Sequence, residues 1–301
     1  MQKKRVLLIG GAGTLGSDIL EANLPDYELF VIDNFSESAL TEDEMQGKYP
    51  YKKMSVADEN KLIKLFQEFR PDVVLYLATT LSKNQLRAFD SNVLGMQNTI
   101  KAAEHSSRPY LIYIQSFLTR NCDSTITVNS SVEAKDSYAT WKLAAEYLLS
   151  SYSGHYTTLV LASVLSPRLS VGAIPTFIKQ IQNNEPIKVT DTFRDYITSE
   201  MFISGMKSLL ENEVKNKIEV LGSSKPINTL EILKKTAYAL RKRMESINYE
   251  LIQPKSSDPK SISLENTLLV AGNSQEIDID ISVSVVVSKF ASSQINVRLH
   301  H

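Results

Sequence analysis

The sequence predicts an α/β protein: a doubly wound parallel sheet with a smaller C-terminal α+β lobe. Three observations carry that prediction. Short apolar runs alternate with helix-period segments roughly six times in about the first 165 residues, the first run breaks into glycines, and the second ends on a carboxylate.

The elements follow in order. Residues 5–9 (RVLLI) form a short β-branched run that stops at glycine, as a strand covered on both faces does. A helix is expected from Gly16, and residues 28–33 (ELFVID) read as the second strand. Asp58 caps a helix in which Leu62, Ile63, Leu65, Phe66 and Phe69 recur at helical spacing until Pro71 stops it. Residues 73–78 (VVLYLA) are a buried strand, followed by a helical pattern through Val93, Met96, Ile100 and Ala103. Residues 110–115 (YLIYIQ) form the next strand. A helix over about 136–151 and a strand at 158–165 (TLVLASVL) complete the alternation.

The remainder is less regular, with helical patterns at 173–183, 199–211 and 228–243 and extended ones at 186–190 and 218–221. Residues 277–287 (IDIDISVSVVV) alternate with period two, which on its own is a strand signal. The domain boundary is placed near Pro167: a first domain over 1–166 and a substrate lobe over 167–301, some segments of which return to the first domain. Residues 256–263 (SSDPKSIS) read as a surface loop, and Leu299-His300-His301 are assigned no role.

Composition narrows the function. The chain is 43% hydrophobic and 22% charged, with 33 basic against 34 acidic side chains and a net charge of -1. It therefore has no global positive field to hold a nucleic acid. No apolar run approaches the ~20 residues that cross a bilayer, and Met1-Gln2-Lys3-Lys4-Arg5 leads straight into the first strand, so neither membrane anchor nor signal peptide is expected. Cys122 is the single cysteine, which excludes an intrachain disulfide and a thiolate zinc cluster. No metal site is expected, and a cytoplasmic location fits.

Gly10-Gly11-Ala12-Gly13-Thr14-Leu15-Gly16 places glycines at intervals of three between the first strand and its helix. Only glycine lets the backbone turn that tightly and approach a pyrophosphate, to which the helix N-terminus offers unpaired N–H groups. A tight strand-to-helix turn would need similar residues. Context favours the ligand: four of the 11 glycines fall in these seven positions, and Asp33 ends the second strand, where a carboxylate accepts from the adenosine ribose hydroxyls. The fold is thus Rossmann-like. The carboxylate would repel a 2′-phosphate, and Asn34-Phe35-Ser36-Glu37 supplies no cation, so NAD is expected over NADP.

Tyr138 and Lys142 stand one helical turn apart on one face, where an ammonium would stabilise a phenolate that exchanges protons with an alcohol. The spacing alone is weak, since Tyr49/Lys53 and Tyr238/Lys242 share it. Tyr138 differs because its helix follows the fifth strand, whose end carries Ser116. Ligands bind at the carboxyl ends of such strands, so Ser116 and Tyr138 are expected to converge over a nicotinamide, a reading favoured over Ser116 as a helix-cap or turn serine.

GGAGTLG, Asp33-Asn34, Leu77-Ala78, Asn92-Val93 with Gly95 and Asn98, Gln115-Ser116, and Tyr138 to Lys142, in that order, resemble the extended short-chain dehydrogenase/reductase family. The similarity is to its NAD-dependent nucleotide-sugar epimerase/dehydratase branch, from about Lys4 to Gly222 and more faintly to Phe290. The resemblance implies that Tyr138 is the acid/base, that Lys142 holds the nicotinamide ribose and lowers the Tyr138 pKa, and that Ser116 hydrogen-bonds the reacting oxygen. It further implies cofactor contacts from Gly10, Gly13, Thr14, Leu15, Gly16, Asp33 and Asn34. Ser55 and Val56 would meet the adenine, and Leu77, Ala78 and Thr79 would line the nicotinamide side. Asn92 would steady the active-site helix. Thr192-Phe193-Arg194-Asp195-Tyr196 is similar to the family's Arg-Asp-aromatic motif, which makes Arg194 the clamp for a sugar-nucleotide diphosphate; a surface ion pair is the other reading of that arginine.

There are departures. Val160 and Ser163 stand where the family's sixth strand has Arg and Asn, which leaves Ser163 as the substrate contact, and Thr119-Arg120-Asn121 replaces the usual Val-Tyr-Gly. The last segment, 277–290, aligns with a family helix, so helix is expected there against its period-two pattern. Family dehydratases carry an Asp-Glu pair after the catalytic Ser/Thr; here those positions are Phe117 and Leu118, which cannot move a proton. The expected activity is a nucleotide-sugar epimerase, at C4, working through a transient ketosugar. A nucleotide-sugar 4-ketoreductase is the alternative, and a regulatory NAD-binding protein with a decayed pocket the reading from another class. The family also implies a homodimer, with Leu86, Leu94, Leu143, Tyr147 and Leu148 on the faces to be covered.

Overall fold

The computed structural model describes residues 3–80, 84–212, 216–255, 258–268 and 278–299. The chain divides into two compact units, one of residues 1–121, 128–161 and 203–220, the other of residues 122–127, 162–202 and 221–301.

The first unit begins with β1 (Lys4–Ile9), α1 (Thr14–Glu21), β2 (Tyr27–Asp33), α2 (Glu42–Met45), β3 (Tyr51–Lys53) and α3 (Glu59–Phe69). It continues through β4 (Val73–Tyr76), α4 (Gln85–Phe89), a π turn (Asp90–Leu94), α5 (Gly95–Glu104), β5 (Tyr110–Ser116), α6 (Ser137–Leu149) and β6 (Tyr156–Leu161). Next along the chain come β7 (Ser163–Leu165), α7 (Ala173–Gln182), β8 (Ile187–Thr190), β9 (Phe193–Arg194), β10 (Tyr196–Thr198), α8 (Ser199–Glu211) and β11 (Lys217–Leu221). β12 (Ile227–Asn228), α9 (Thr229–Ala239), β13 (Tyr249–Ile252) and α10 (Ile279–Leu299) close it.

The seven-stranded sheet runs β11-β6-β5-β4-β1-β2-β3. β1 pairs in parallel with β2 and β4, and the parallel ladder extends to β3 on one side and to β5 and β6 on the other. The order reverses direction between β1 and β4, so the loops after these two strands open a crevice at the carboxyl edge. Both sheet faces are covered, which is why Val6 to Ile9 is apolar without alternation: all four side chains are fully buried. On one face Leu7, Ile9, Val74, Tyr76, Leu111 and Tyr113 meet Leu62, Leu65 and Phe66 of α3, Met96 and Ile100 of α5, and Ala145 and Leu149 of α6.

Two expected elements differ. The long helix through Val93 is broken into α4, the π turn and α5, and the strand expected at 158–165 is divided at Ala162, whose N–H donates to Leu221 O at 3.1 Å. β3 goes unpredicted because Tyr51-Lys52-Lys53 is too polar to read as a strand.

In the second unit β7 pairs with β10, β8 with β13 and β9 with β12. Its core joins Ile174, Phe177, Ile178 and Ile181 of α7 to Ile232, Leu233 and Ala237 of α9 and to Ile279, Val283, Val286 and Val287 of α10. The segment with period-two alternation is therefore helical over its described part, Ile277 lying outside the described residues. Among the described residues, no helix is long and apolar enough to cross a membrane.

Candidate active site

The glycine loop leaves β1 at Gly10, which adopts φ +75°, and an added Cβ there would lie 2.6 Å from the backbone N and Cα of Ala78. A Cβ on Gly16 would fall 2.3 Å from Gly11 O, so α1 can start this close to β1 only with glycine. Gly13 is the N-cap of α1 and makes no side-chain cap. The first-turn N–H groups of Thr14, Leu15 and Gly16 thus depend on an acceptor from outside the helix, and a pyrophosphate is one.

Asp33 closes β2 beside this loop. Its Oδ2 accepts from Ala12 N at 3.0 Å and its Oδ1 from Phe35 N at 2.8 Å and Ser38 Oγ at 2.9 Å. A carboxylate offers about four acceptor sites, so these bonds aim the group while leaving it able to take a ribose hydroxyl. Asn34 is exposed, its Oδ1 accepting from Ser36 N and Oγ. Lys53 lies over the Phe35 ring but is paired with Glu42 at 2.6 Å, which engages a cation close to this corner. Ser55 is exposed and accepts from Ala57 N; Val56 is buried, its carbonyl accepting from Asn98 Nδ2 at 3.0 Å. The donor set and the cradle fit NAD.

Leu77 N continues the ladder by donating to Ile9 O, and Ala78 packs on Gly10. Thr79 follows at the same edge and donates from Oγ1 to Asn92 Oδ1 at 3.0 Å. Asn92, buried on the π turn, also donates to Ala88 O at 2.9 Å. A single π turn inserts one residue and re-aims the side chains around it. Here it directs Asn92 toward Thr79.

Ser116 ends β5, and Tyr138 sits in the first turn of α6, which Asp136 caps through Ala139 N at 2.7 Å. The Tyr138 phenol is buried beside the side chains of Thr79 and Ser116, each of which draws its pKa down. These three residues, from the ends of β4 and β5 and from α6, come together at one point. Thr79 was expected only as a cofactor contact; nothing in its spacing shows that it reaches the phenol.

Lys142 is buried. Its Nζ donates to Ile114 O at 2.6 Å and stands 4.3 Å from the centre of the Tyr113 ring, while its carbonyl accepts from Tyr113 Oη and Gln115 Nε2, both at 3.1 Å. Burial lowers its pKa to about 7, with the Glu146 carboxylate opposing. The Tyr138 pKa is raised rather than lowered: burial dominates, the Thr79 and Ser116 side chains pull it down, and Asp136 pushes it up. The expected lowering by Lys142 is thus not seen, because that ammonium is directed at the Ile114 carbonyl.

In the second unit Ser163 begins β7, half-buried, with its N–H on Asp195 O at 3.2 Å. Arg194 lines a cavity of 590 Å³ with Lys188, Thr190, Thr192, Tyr196 and Thr229. Its Nη1 donates to Phe193 O at 2.9 Å and Pro259 O at 3.2 Å, which leaves the other guanidinium nitrogens for an anion; burial lowers its pKa. Asp195 is a staple: Ser223 N, Ser223 Oγ, Ser224 N and Leu264 N all donate to its carboxylate.

A model of the NAD dependent epimerase/dehydratase family matches residues 6–222. The dTDP-D-glucose 4,6-dehydratase of Bos taurus is 24% identical over 253 residues, 77% of this chain and 71% of the relative. Among solved structures, the Bordetella bronchiseptica enzyme WbmG in complex with NAD aligns with TM-score 0.83 and 24% identity, covering 97% of this chain and 95% of that one. The Thermus thermophilus UDP-glucose 4-epimerase complex with NAD gives TM-score 0.80 and 22% identity, covering 96% and 99%.

Proposed function

Because this chain belongs to the NAD dependent epimerase/dehydratase family, we propose that it is a nucleotide-sugar epimerase, acting at C4 through a transient ketosugar. The observation that carries the proposal is the Tyr138 phenol set beside Ser116 and Thr79 at the carboxyl edge of the sheet.

NAD, when bound, supplies a reversible hydride acceptor. The chain does the rest. Gly10, Gly13 and Gly16 let the backbone of the loop and the N–H groups of Thr14 and Leu15 close on the pyrophosphate; Asp33 and Asn34 take the adenosine ribose, Ser55 and Val56 the adenine, and Leu77 and Ala78 the nicotinamide side. Tyr138 takes the proton of the sugar hydroxyl and returns it after the ketosugar has turned over. The Ser116 hydroxyl beside the phenol is a donor for its anion, while the Thr79 proton is directed to Asn92 Oδ1. Ser116 holds the reacting oxygen, and Lys142, one turn along the same helix face, supplies positive charge and a hold on the nicotinamide ribose. Arg194 and Ser163 contact the nucleotide diphosphate and sugar.

A 4,6-dehydratase, the activity of the bovine relative, needs a further acid and base after Ser116. Phe117 and Leu118 fill a 3₁₀ turn there and offer none. The faces of α4 and α6 also carry exposed apolar side chains, Leu86, Phe89 and Tyr147, which support a homodimer formed through these helices. Of the other residues expected on those faces, Leu143 is buried within its own chain and Leu94 and Leu148 are half-buried.

The test is mass spectrometry of the small molecules released on denaturation, followed by assay on UDP-, dTDP- and GDP-sugars. Retained NAD and C4 interconversion are expected, and Tyr138→Phe should keep the nucleotide while losing about 10²–10⁴ in rate. Protein that retains no nucleotide and reduces a 4-ketosugar with added NADH would make it a ketoreductase. NAD binding with no turnover, and a Tyr138→Phe variant fully active in cells, would make it a regulatory protein.

A further inference from the structure

Behind the strand end that carries Ser116 lies a largely buried ion pair. Arg120, 1% exposed, directs Nη2 to Oε1 of Glu146, 14% exposed, at 2.6 Å and Nη1 to Glu146 Oε2 at 3.1 Å. Gln115 Nε2 donates to the same Oε2 at 2.6 Å and to Lys142 O at 3.1 Å, and Gln115 Oε1 accepts from Ser116 N at 2.9 Å. Thr119 Oγ1 donates to Ser116 O at 2.7 Å and is in turn met by Arg120 Nη1 at 3.0 Å. Both backbone polar groups of Ser116 and the backbone carbonyl of Lys142 are thereby tied to one buried pair.

Stability alone is a poor reason for such a pair. Taking a guanidinium and a carboxylate out of water costs about as much as their attraction returns, and apolar replacements of both are often neutral or better. What an apolar pair cannot do is hold β5 and α6 at a fixed separation and orientation through directed bonds. It also cannot place a negative charge one turn beyond Lys142.

We propose that Arg120 and Glu146 are positioning residues: acting through Gln115 and Thr119, the pair fixes Ser116 and Lys142 relative to Tyr138, and its carboxylate supports positive charge on Lys142. The proposal rests on the epimerase reading, since that is the reaction Ser116 and Lys142 would serve. Among the described residues, the titratable groups set against Lys142 are Glu146, one turn along its own helix, and Tyr113 from β5, with Tyr76 of β4 behind the Tyr113 ring, Arg120 beyond Glu146 and Tyr138 one turn earlier on the helix. Burial drives Lys142 toward its neutral form and Glu146 opposes it. Of these neighbours, Glu146 is therefore the one whose removal should be visible in the lysine's titration.

Two readouts test this on the nucleotide-bound protein. In protein carrying ¹³C-labelled lysine, the Lys142 Cε signal, assigned by its loss in Lys142→Met, should titrate at lower pH in Glu146→Gln than in the wild type. Turnover should fall about 10- to 100-fold, as expected of misplaced reacting groups, with KM for the nucleotide sugar within about threefold and NAD retained. Arg120→Met with Glu146→Gln leaves neither member of the pair as a charge without its partner, so this double variant keeps the experiment valid if a single variant fails to fold, and it should show the same loss. Wild-type turnover and an unmoved Lys142 titration in the double variant would overturn the proposal while leaving the epimerase reading intact. A wild type inert toward all nucleotide sugars, with the Lys142 titration still moved by Glu146→Gln, would instead sink the epimerase reading and leave the hold of the pair on Lys142 standing.

Discussion

Lys142 shows at the scale of one residue how the proposed reaction site is kept at the expense of the fold. Its pKa is about 7 folded against 10.5 ordinarily. Between those values the unfolded chain binds a proton that the folded chain does not, so stability rises with pH across that window and the cost of Lys142 is full below about pH 7. With NAD removed from both proteins, Lys142→Met is expected to raise the urea midpoint at pH 7, a gain on the order of a few kcal/mol, which shrinks as the pH approaches 10. Turnover should be lost. A midpoint that does not rise would mean that the lysine is not desolvated in the folded protein. The i,i+4 spacing of Tyr138 and Lys142 is visible in the sequence, but the direction of their pKa shifts is not, because burial and the Ile114 carbonyl come from the tertiary packing of α6 on β5.

At the scale of elements, the glycine loop and α10 make opposite cases. The loop is legible because its demand is local: Gly10 needs φ +75° and Gly16 needs no Cβ, and no other residue satisfies both conditions cheaply. Gly10→Ala is expected to cost the left-handed penalty of about 1–2 kcal/mol plus whatever Ala78 must shift, measured by urea unfolding, and to abolish nucleotide retention. Gly13→Ala, whose Cβ would meet Gly10 O at 3.2 Å, should unfold closer to the wild type yet also retain less nucleotide. Equal retention by wild type and Gly13→Ala would show that the pyrophosphate does not approach this turn. In α10 the alternation of Ile279, Ile281, Val283 and Val285 suggests a strand, but Ile279, Val283, Val286 and Val287 are the buried side chains. Their spacing is helical, and they pack on α7 and α9. Ile281 and Val285 stay exposed, so the period-two pattern reflects composition and not a buried face.

For the whole molecule, chain order and spatial grouping part company. Residues 203–220 belong to the first unit, and β11 joins the sheet beside β6 after α7 to β10 have been built in the second. Leu86 is 74% exposed and Tyr147 63%; if the proposed homodimer covers them, light scattering at micromolar concentration should give twice the chain mass, and Leu86→Glu with Tyr147→Glu should halve it. A wild-type monomer under those conditions would end the dimer proposal.

Local and periodic information in the sequence determined the parallel sheet, the glycine loop, the acidic end of β2 and the spacing of Tyr138 to Lys142. Each of these arises within a few neighbouring residues or along one element, where sterics, strand burial and helical spacing act directly. Tertiary structure alone decided that Thr79 stands with Ser116 beside the phenol, that a π turn aims Asn92 at Thr79, and that Arg120 closes on Glu146. These contacts join residues 13 to 59 positions apart, and their energies depend on burial and direction. No local pattern in the sequence encodes either quantity, because both exist only once separate strands and helices have been brought together.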